Sequence, residues 1–207
     1  MTAFNARTHW DTVYAAKGEA EVSWFQPTPA PSLDMLARIG AGPGASLIDV
    51  GGGASRLVDA LLAAGWRDVA VLDLSAAALA RAQTRLGERA SLARWIVADA
   101  TTWTPDRVFD VWHDRAAFHF LVEPADRAAY VGVLKRALAP GGHVILAAFA
   151  PDGPEKCSGL PVMRHDAASL ARELGEGFAL VEEMAHEHAT PWGAIQRFRF
   201  ATFRRAD

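Results

Sequence analysis

Three aspartates stand at matching places in this chain, each closing a short apolar run: Asp49 in LIDVGGGAS, Asp73 in AVLDLS and Asp99 in IVADAT. A carboxylate so placed accepts hydrogen bonds from hydroxyls or amines. Behind Asp49 come Gly51, Gly52 and Gly53. Three glycines in a row give up much backbone entropy, so something must need bare backbone there: a tight turn, a close approach to a ligand, or a helix start that receives polar groups. A dinucleotide site wants G-x-G-x-x-G. Gly51 and Gly53 fit that spacing, but its last position is Arg56, whose side chain would clash with close helix packing or stand where a pyrophosphate sits. Asp49 beside the loop repels phosphate and attracts a cation such as an ammonium. Asp73 lies about 20 residues further on, where a carboxylate takes both hydroxyls of a ribose, with Leu74 beside it. Asp99 can accept from the exocyclic amine of adenine while the Ala100 amide donates to the ring. Together these residues ask for an adenosine with a cationic, phosphate-free tail.

A second cluster follows in DVWHDRAAFHF, where His113, Asp114, Arg115 and His119 are too polar for a simple core segment. Alternation along a strand turns His113 and Asp114 to opposite sides. Asp114 and Arg115 are expected near the tail of the ligand, and His119 or His113 towards a second reactant. His113, Asp114 and His119 are the candidates for taking a proton from a nucleophile, work that suits a carboxylate or a neutral imidazole. Near the start, Trp10, Tyr14, Trp24 and Phe25 are either ordinary core or the wall of a cover that attracts a cation and excludes water. His186 and His188 share one strand face without an evident third ligand, so no metal site is expected, and Cys157 reads as an inert loop cysteine.

The elements that carry these residues alternate in period. Leu47 to Val50 is a strand, followed by a helix with Leu57, Val58, Leu61 and Leu62 at helical spacing and Gly65 as its stop. Ala70 to Leu74 is the second strand. Ser75 then caps a helix through Leu86, which Gly87 ends. Strands over Ala93 to Asp99 and Val108 to Asp114, a helix from Ala125 to Leu138 stopped by APGG, and the apolar run His143 to Ala150 complete a parallel α/β pattern. After a Gly- and Pro-rich loop and a short helix, FALVEEMAHEHAT and AIQRFRFATFRR flank the turn TPWG and are expected to pair as a terminal hairpin. Residues 1–45, with helices at HWDTVYAAKG and SLDMLARIG, precede the sheet and can cover it. The expected organisation is a helical lid segment over 1–45 and a ligand-binding α/β domain over 46–207, as one compact unit.

A chain of 207 residues buries enough surface to fold without disulfides, and Cys157 as the only cysteine excludes both an internal disulfide and a multi-thiolate metal site. A formal net charge of −3 gives no basic field for nucleic acid or a polybasic membrane contact. The absence of a spanning-length apolar run or a signal-like start makes the cytoplasm the expected location, as a monomer or homodimer.

S-adenosylmethionine, an adenosine whose tail carries a sulfonium, fits these requirements, and the sequence resembles a class I S-adenosylmethionine-dependent methyltransferase. LIDVGGGAS matches that family's D/E-x-G-x-G-x-G motif at Asp49, Gly51 and Gly53, with Ser55 in place of the final glycine; VLDLS and VADAT match its second and third motifs. The resemblance implies a Rossmann-like doubly wound sheet of seven strands, mostly parallel with an antiparallel last strand, helices on both faces, and methyl transfer to an N or S nucleophile of a protein side chain or small molecule. HWDTVY, VSWF and DVWHDR are similar to the branch that includes protein-lysine methyltransferases, and the Trp-bearing start is also similar to thiol and thiopurine methyltransferases. Two other readings are a catalytically silent S-adenosylmethionine binder and, disfavoured by Arg56 and Asp49, a nicotinamide oxidoreductase.

Overall fold

The computed structural model describes residues 5–207; the first four residues of the expected lid segment lie outside the described residues. The sheet has seven strands: β1 Leu47–Val50, β2 Val69–Asp73, β3 Ala93–Val97, β4 Phe109–Arg115, β5 Leu138–Phe149, β6 Phe178–Ala189 and β7 Ile195–Arg205. They lie in the order β3-β2-β1-β4-β5-β7-β6. The first five are parallel, while β7 runs antiparallel between β5 and β6, so the terminal hairpin is present and its second strand is the reversed one.

Helices α1 Ala6–Ala16, α2 Ala30–Arg38, α3 Leu57–Ala63, α4 Ala76–Leu86, α5 Pro124–Ala137 and α6 Ala167–Leu174 account for the helical periods. Pro31 sits in the first turn of α2, where its missing N–H costs nothing. Ser75 caps α4 by accepting from the Ala78 amide at 3.1 Å, and Gly87 ends it at φ +59°. Alternating strand residues build two cores. Ile48, Val50, Leu72, Trp112 and Leu146 pack against α5 and α6. Leu47, Val71, Val111 and Ile145 pack against α2, α3 and α4.

Several boundaries shift by one to three residues, and two strands change more in what they include. The APGG segment belongs to the start of β5, with Leu138 paired to Phe109 and an irregular register before His143. Strand β3 ends at Val97, which leaves Asp99 in the turn beyond it, its Oδ1 accepting from the Thr101 amide at 2.8 Å. No helix among the described residues is long and apolar enough to cross a membrane.

Before the sheet begins, the N-terminal segment crosses the carboxyl edges of the strands and is tied down by polar contacts. Asp11 on α1 accepts from the Ser75 hydroxyl at 2.6 Å and the Ala77 amide at 3.3 Å, both at the start of α4. Glu19 lies between Arg56 at 2.9 Å and Arg85 at 3.0 Å. The Ser23 carbonyl meets His188 Nε2 at 2.6 Å. His186 and His188 pack on Phe200 and Phe198, and His188 is buried.

Candidate active site

A cavity of about 680 Å³ opens between this N-terminal segment and the carboxyl edges of β1, β2 and β4. This is the place where open α/β sheets receive ligands. Its wall is made first by the turn after β1. Gly51 has φ +68°, and a Cβ there would lie 2.3 Å from the Ala117 Cβ, so the turns after β1 and β4 come as close as two chains can. At Gly52 the obstacle is the site itself, since a Cβ would meet Asp49 Oδ2 at 2.5 Å and Val71 Cγ1 at 2.7 Å. Gly52→Ala is therefore expected to push Asp49 aside and to cost about 2 kcal/mol by overpacking, which equilibrium urea unfolding measures. Ser55, where a glycine-only motif would end, accepts from the Leu57 amide at 3.1 Å and so helps to start α3. Arg56 turns outward to Glu19 and over the Phe25 ring at 5.6 Å, joining the N-terminal segment to the rim.

One end of the cavity is lined by Asp73, Leu74, Asp99 and Ala100. Asp73 is buried, and one of its oxygens accepts from the Ser75 amide at 2.7 Å. Burial, with neighbouring Asp49 adding to it, pushes its carboxyl up to about 7 against the pull of the Ser75 and Gly53 amides. The other end holds two orphan groups of opposite kind. Asp49 gives one oxygen to His113 Nδ1 at 2.7 Å, while its Oδ2 is buried with no partner. Arg115 donates through Nη1 to the Trp24 carbonyl at 3.0 Å, while Nε and Nη2 are buried with no partner. Burial lowers the Arg115 guanidinium to about 10. Buried polar groups are nearly always satisfied, and an occupant offering a cation to Asp49 and an anion to Arg115 would satisfy both. Over them stand Trp10, Tyr14, Trp24 and Phe120, with Trp10 against Phe120 at 4.9 Å and against Trp24 at 5.7 Å. Burial and the Asp73 carboxylate raise the Tyr14 phenol, so its O–H stays protonated.

The structure thus brings to one cavity Asp49, Gly51, Gly52, Ser55, Asp73 and Leu74, together with Asp99, Ala100, His113 and Arg115 and the aromatic Trp10, Tyr14 and Trp24. Gly53 lies just behind the wall, where a Cβ would meet the Tyr14 hydroxyl at 2.9 Å. Asp114 and His119 are placed elsewhere. Asp114 faces α5, where it accepts from the Tyr130 hydroxyl at 2.5 Å and from the Ala117 and Phe118 amides at 2.8 and 3.0 Å. His119 lies between Phe120 and Phe149, and burial lowers its imidazole to about 3. Neither residue lines the cavity; Asp114 reaches it only through its bonds to Tyr130 and Ala117, which do. Ser32, Phe120 and Cys157 line it without having been singled out for it; Ser32 comes from α2, and only the tertiary fold carries it to His113.

Residues 47–142 match the family model described as a methyltransferase domain. The strand order and the glycine turn agree with that match, and give this region a Rossmann-like fold. Among curated proteins, the chain is 37% identical over 124 residues to a trans-aconitate 2-methyltransferase from Methylobacterium radiotolerans, covering 59% of this chain and 44% of that one. It is 29% identical over 111 residues to nodulation protein S from Rhizobium tropici, covering 54% of this chain and 46% of the relative. The match therefore spans less than half the length of either relative. Among solved structures, the N-methyltransferase NodS from Bradyrhizobium japonicum in complex with S-adenosyl-L-homocysteine superimposes with a TM-score of 0.73, at 17% identity, over 97% of this chain and 100% of that one.

Proposed function

We propose that the protein is an S-adenosylmethionine-dependent methyltransferase that methylates an N or S nucleophile of a small acceptor. The observation that carries this is the pair of orphan groups: the Asp49 oxygen and the Arg115 guanidinium suit the ammonium and the carboxylate of an amino-acid tail. Asp73 and Asp99 stand at the far end of the same cavity, where the ribose and the adenine would lie. A small acceptor is favoured by the roof of Trp10, Trp24 and Phe120.

When bound, S-adenosylmethionine supplies a methyl group on a positively charged sulfur that is already activated for displacement. What remains for this chain is alignment and exclusion of water. Asp49, Arg115 and Asp73 fix the two ends of the donor. Trp10, Tyr14 and Trp24 offer aromatic faces to a cation between those ends. His113 is already engaged on both ring nitrogens, so this chain's contribution is to hold an acceptor that arrives with its lone pair free.

Titration calorimetry with S-adenosylmethionine and with NAD tests the reading, with binding of the first and not the second expected. The binding also carries a pH signature. A ribose that donates to Asp73 prefers the carboxylate, whereas the empty site holds a proton there below about pH 7. Affinity is therefore expected to rise as pH increases through about 7 and to level off above it, with proton release on binding below that point. Asp73→Ala should remove the pH dependence and weaken binding by about 1–3 kcal/mol. Unchanged affinity in this variant would contradict the ribose role.

A further inference from the structure

Asp49 is one end of a buried chain of three side chains from three elements. Its Oδ1 meets His113 Nδ1 at 2.7 Å, and His113 Nε2 meets the Ser32 hydroxyl at 2.9 Å. All three residues are buried, at 3%, 2% and 1% exposure for Asp49, His113 and Ser32. The order hydroxyl, imidazole, carboxylate resembles a hydrolytic triad, in which the hydroxyl is the working end and the carboxylate serves only to orient the ring. Here the loose end is at the opposite side: Asp49 is among the residues that line the cavity, and its Oδ2, buried beside Gly52, where a Cβ would lie 2.5 Å from it, has no hydrogen-bond partner.

We propose that His113 is a positioning residue for the donor's cationic tail, clamping Asp49 in the rotamer that aims its free oxygen at the ammonium, with Ser32 setting the tautomer of the imidazole. The chemistry of each contact supports this direction. An ionised carboxylate is acceptor-only, so Nδ1 carries the proton of the bond to Asp49. In the neutral ring Nε2 is then an acceptor, and the Ser32 hydroxyl is the donor that fixes it so. A second-layer partner of this kind turns a carboxylate with free torsions into a fixed one, as the partners of metal-bound histidines do. The clamp also reaches the N-terminal part of the chain, because Ser32 belongs to α2 rather than to the sheet. The proposal rests on the donor reading above.

Two nucleosides separate the positioning role from a merely structural one. S-adenosylhomocysteine carries the amino-acid tail, whereas 5′-methylthioadenosine has the same nucleoside and sulfur without it. In titration calorimetry, His113→Ala is expected to weaken S-adenosylhomocysteine by about tenfold or more, the scale of a lost buried charge-assisted contact, and to leave methylthioadenosine unchanged. His113→Asn, whose amide nitrogen can stand in for Nδ1, should restore most of the affinity. Ser32→Ala should shift it in the same sense by a smaller factor and keeps the test open should His113→Ala fail to fold. Equal losses for both nucleosides, or no loss for either, would overturn the positioning role. Failure of the wild-type protein to bind either nucleoside would instead remove the donor reading, and this role with it.

Discussion

Arg115→Met is expected to cost the protein about 2–5 kcal/mol of donor affinity, roughly 30-fold to several thousandfold, while leaving the empty protein as stable as before or more so. The two halves of this expectation have one cause. The guanidinium is held among Phe198, Trp24 and Cys157, with a ring 5.2 Å away and two nitrogens lacking acceptors. Burial lowers its pKa to about 10, so at neutral pH the folded chain carries a cation that water would hold more comfortably. Methionine keeps the apolar volume and removes that strain, at the loss of one bond to the Trp24 carbonyl. A carboxylate arriving in the cavity reverses the sign, because both idle nitrogens then find an acceptor. Thermal unfolding of the empty variant together with calorimetry on S-adenosylhomocysteine checks both halves. A fall in melting temperature with affinity intact would show the arginine to be part of the scaffold.

Its neighbour is expected to behave in the opposite way. Asp114→Ala leaves the Tyr130 hydroxyl and the Ala117 and Phe118 amides without their acceptor. At 1–3 kcal/mol for each orphaned buried group, partly relaxed, the loss is expected to be about 3 kcal/mol. In a domain of this size that lowers the melting temperature by roughly 6–12 °C. The effect has a pH dependence of known sign. Burial raises the Asp114 carboxyl to about 6, so between about pH 4 and 6 the folded chain keeps a proton that the unfolded chain has released. Wild-type stability thus falls as pH rises through that window, a slope that the alanine variant lacks. The gap between the two proteins is widest near pH 4 and narrows towards neutrality. At temperatures where the variant is folded, its affinity for donor should remain close to that of wild type, which separates it from Arg115→Met.

These adjacent residues show what a sequence can and cannot disclose. The acids at the ends of β1 and β2, the glycines between them and the period of each element were readable, because local periodicity and turn chemistry dictate them. Alternation along β4 was also readable, and it put His113 and Asp114 on opposite faces. Which face carried the ligand was not, since that depends on where α5 and α2 dock. Asp114 consequently met Tyr130, and His113 met Ser32, a residue 81 positions earlier in the chain. His119 was polar in a place where the fold needed a flat ring between two phenylalanines, a demand set by packing. Ser32 had no local signature at all: a serine in the first turn of a helix is commonplace.

The grip described for Asp49, Asp73 and Arg115 has an implication for turnover. In the proposed binding mode each of the three addresses a part of the donor that survives the reaction untouched: ammonium, ribose and carboxylate. Spent donor is therefore held by the same handles as fresh donor. Only the charge on sulfur differs, and the groups able to sense it are the aromatic faces of Trp10, Tyr14 and Trp24. On this reading, inhibition by its own nucleoside product is inherent in the design, and the rings overhead are what tell charged cargo from discharged.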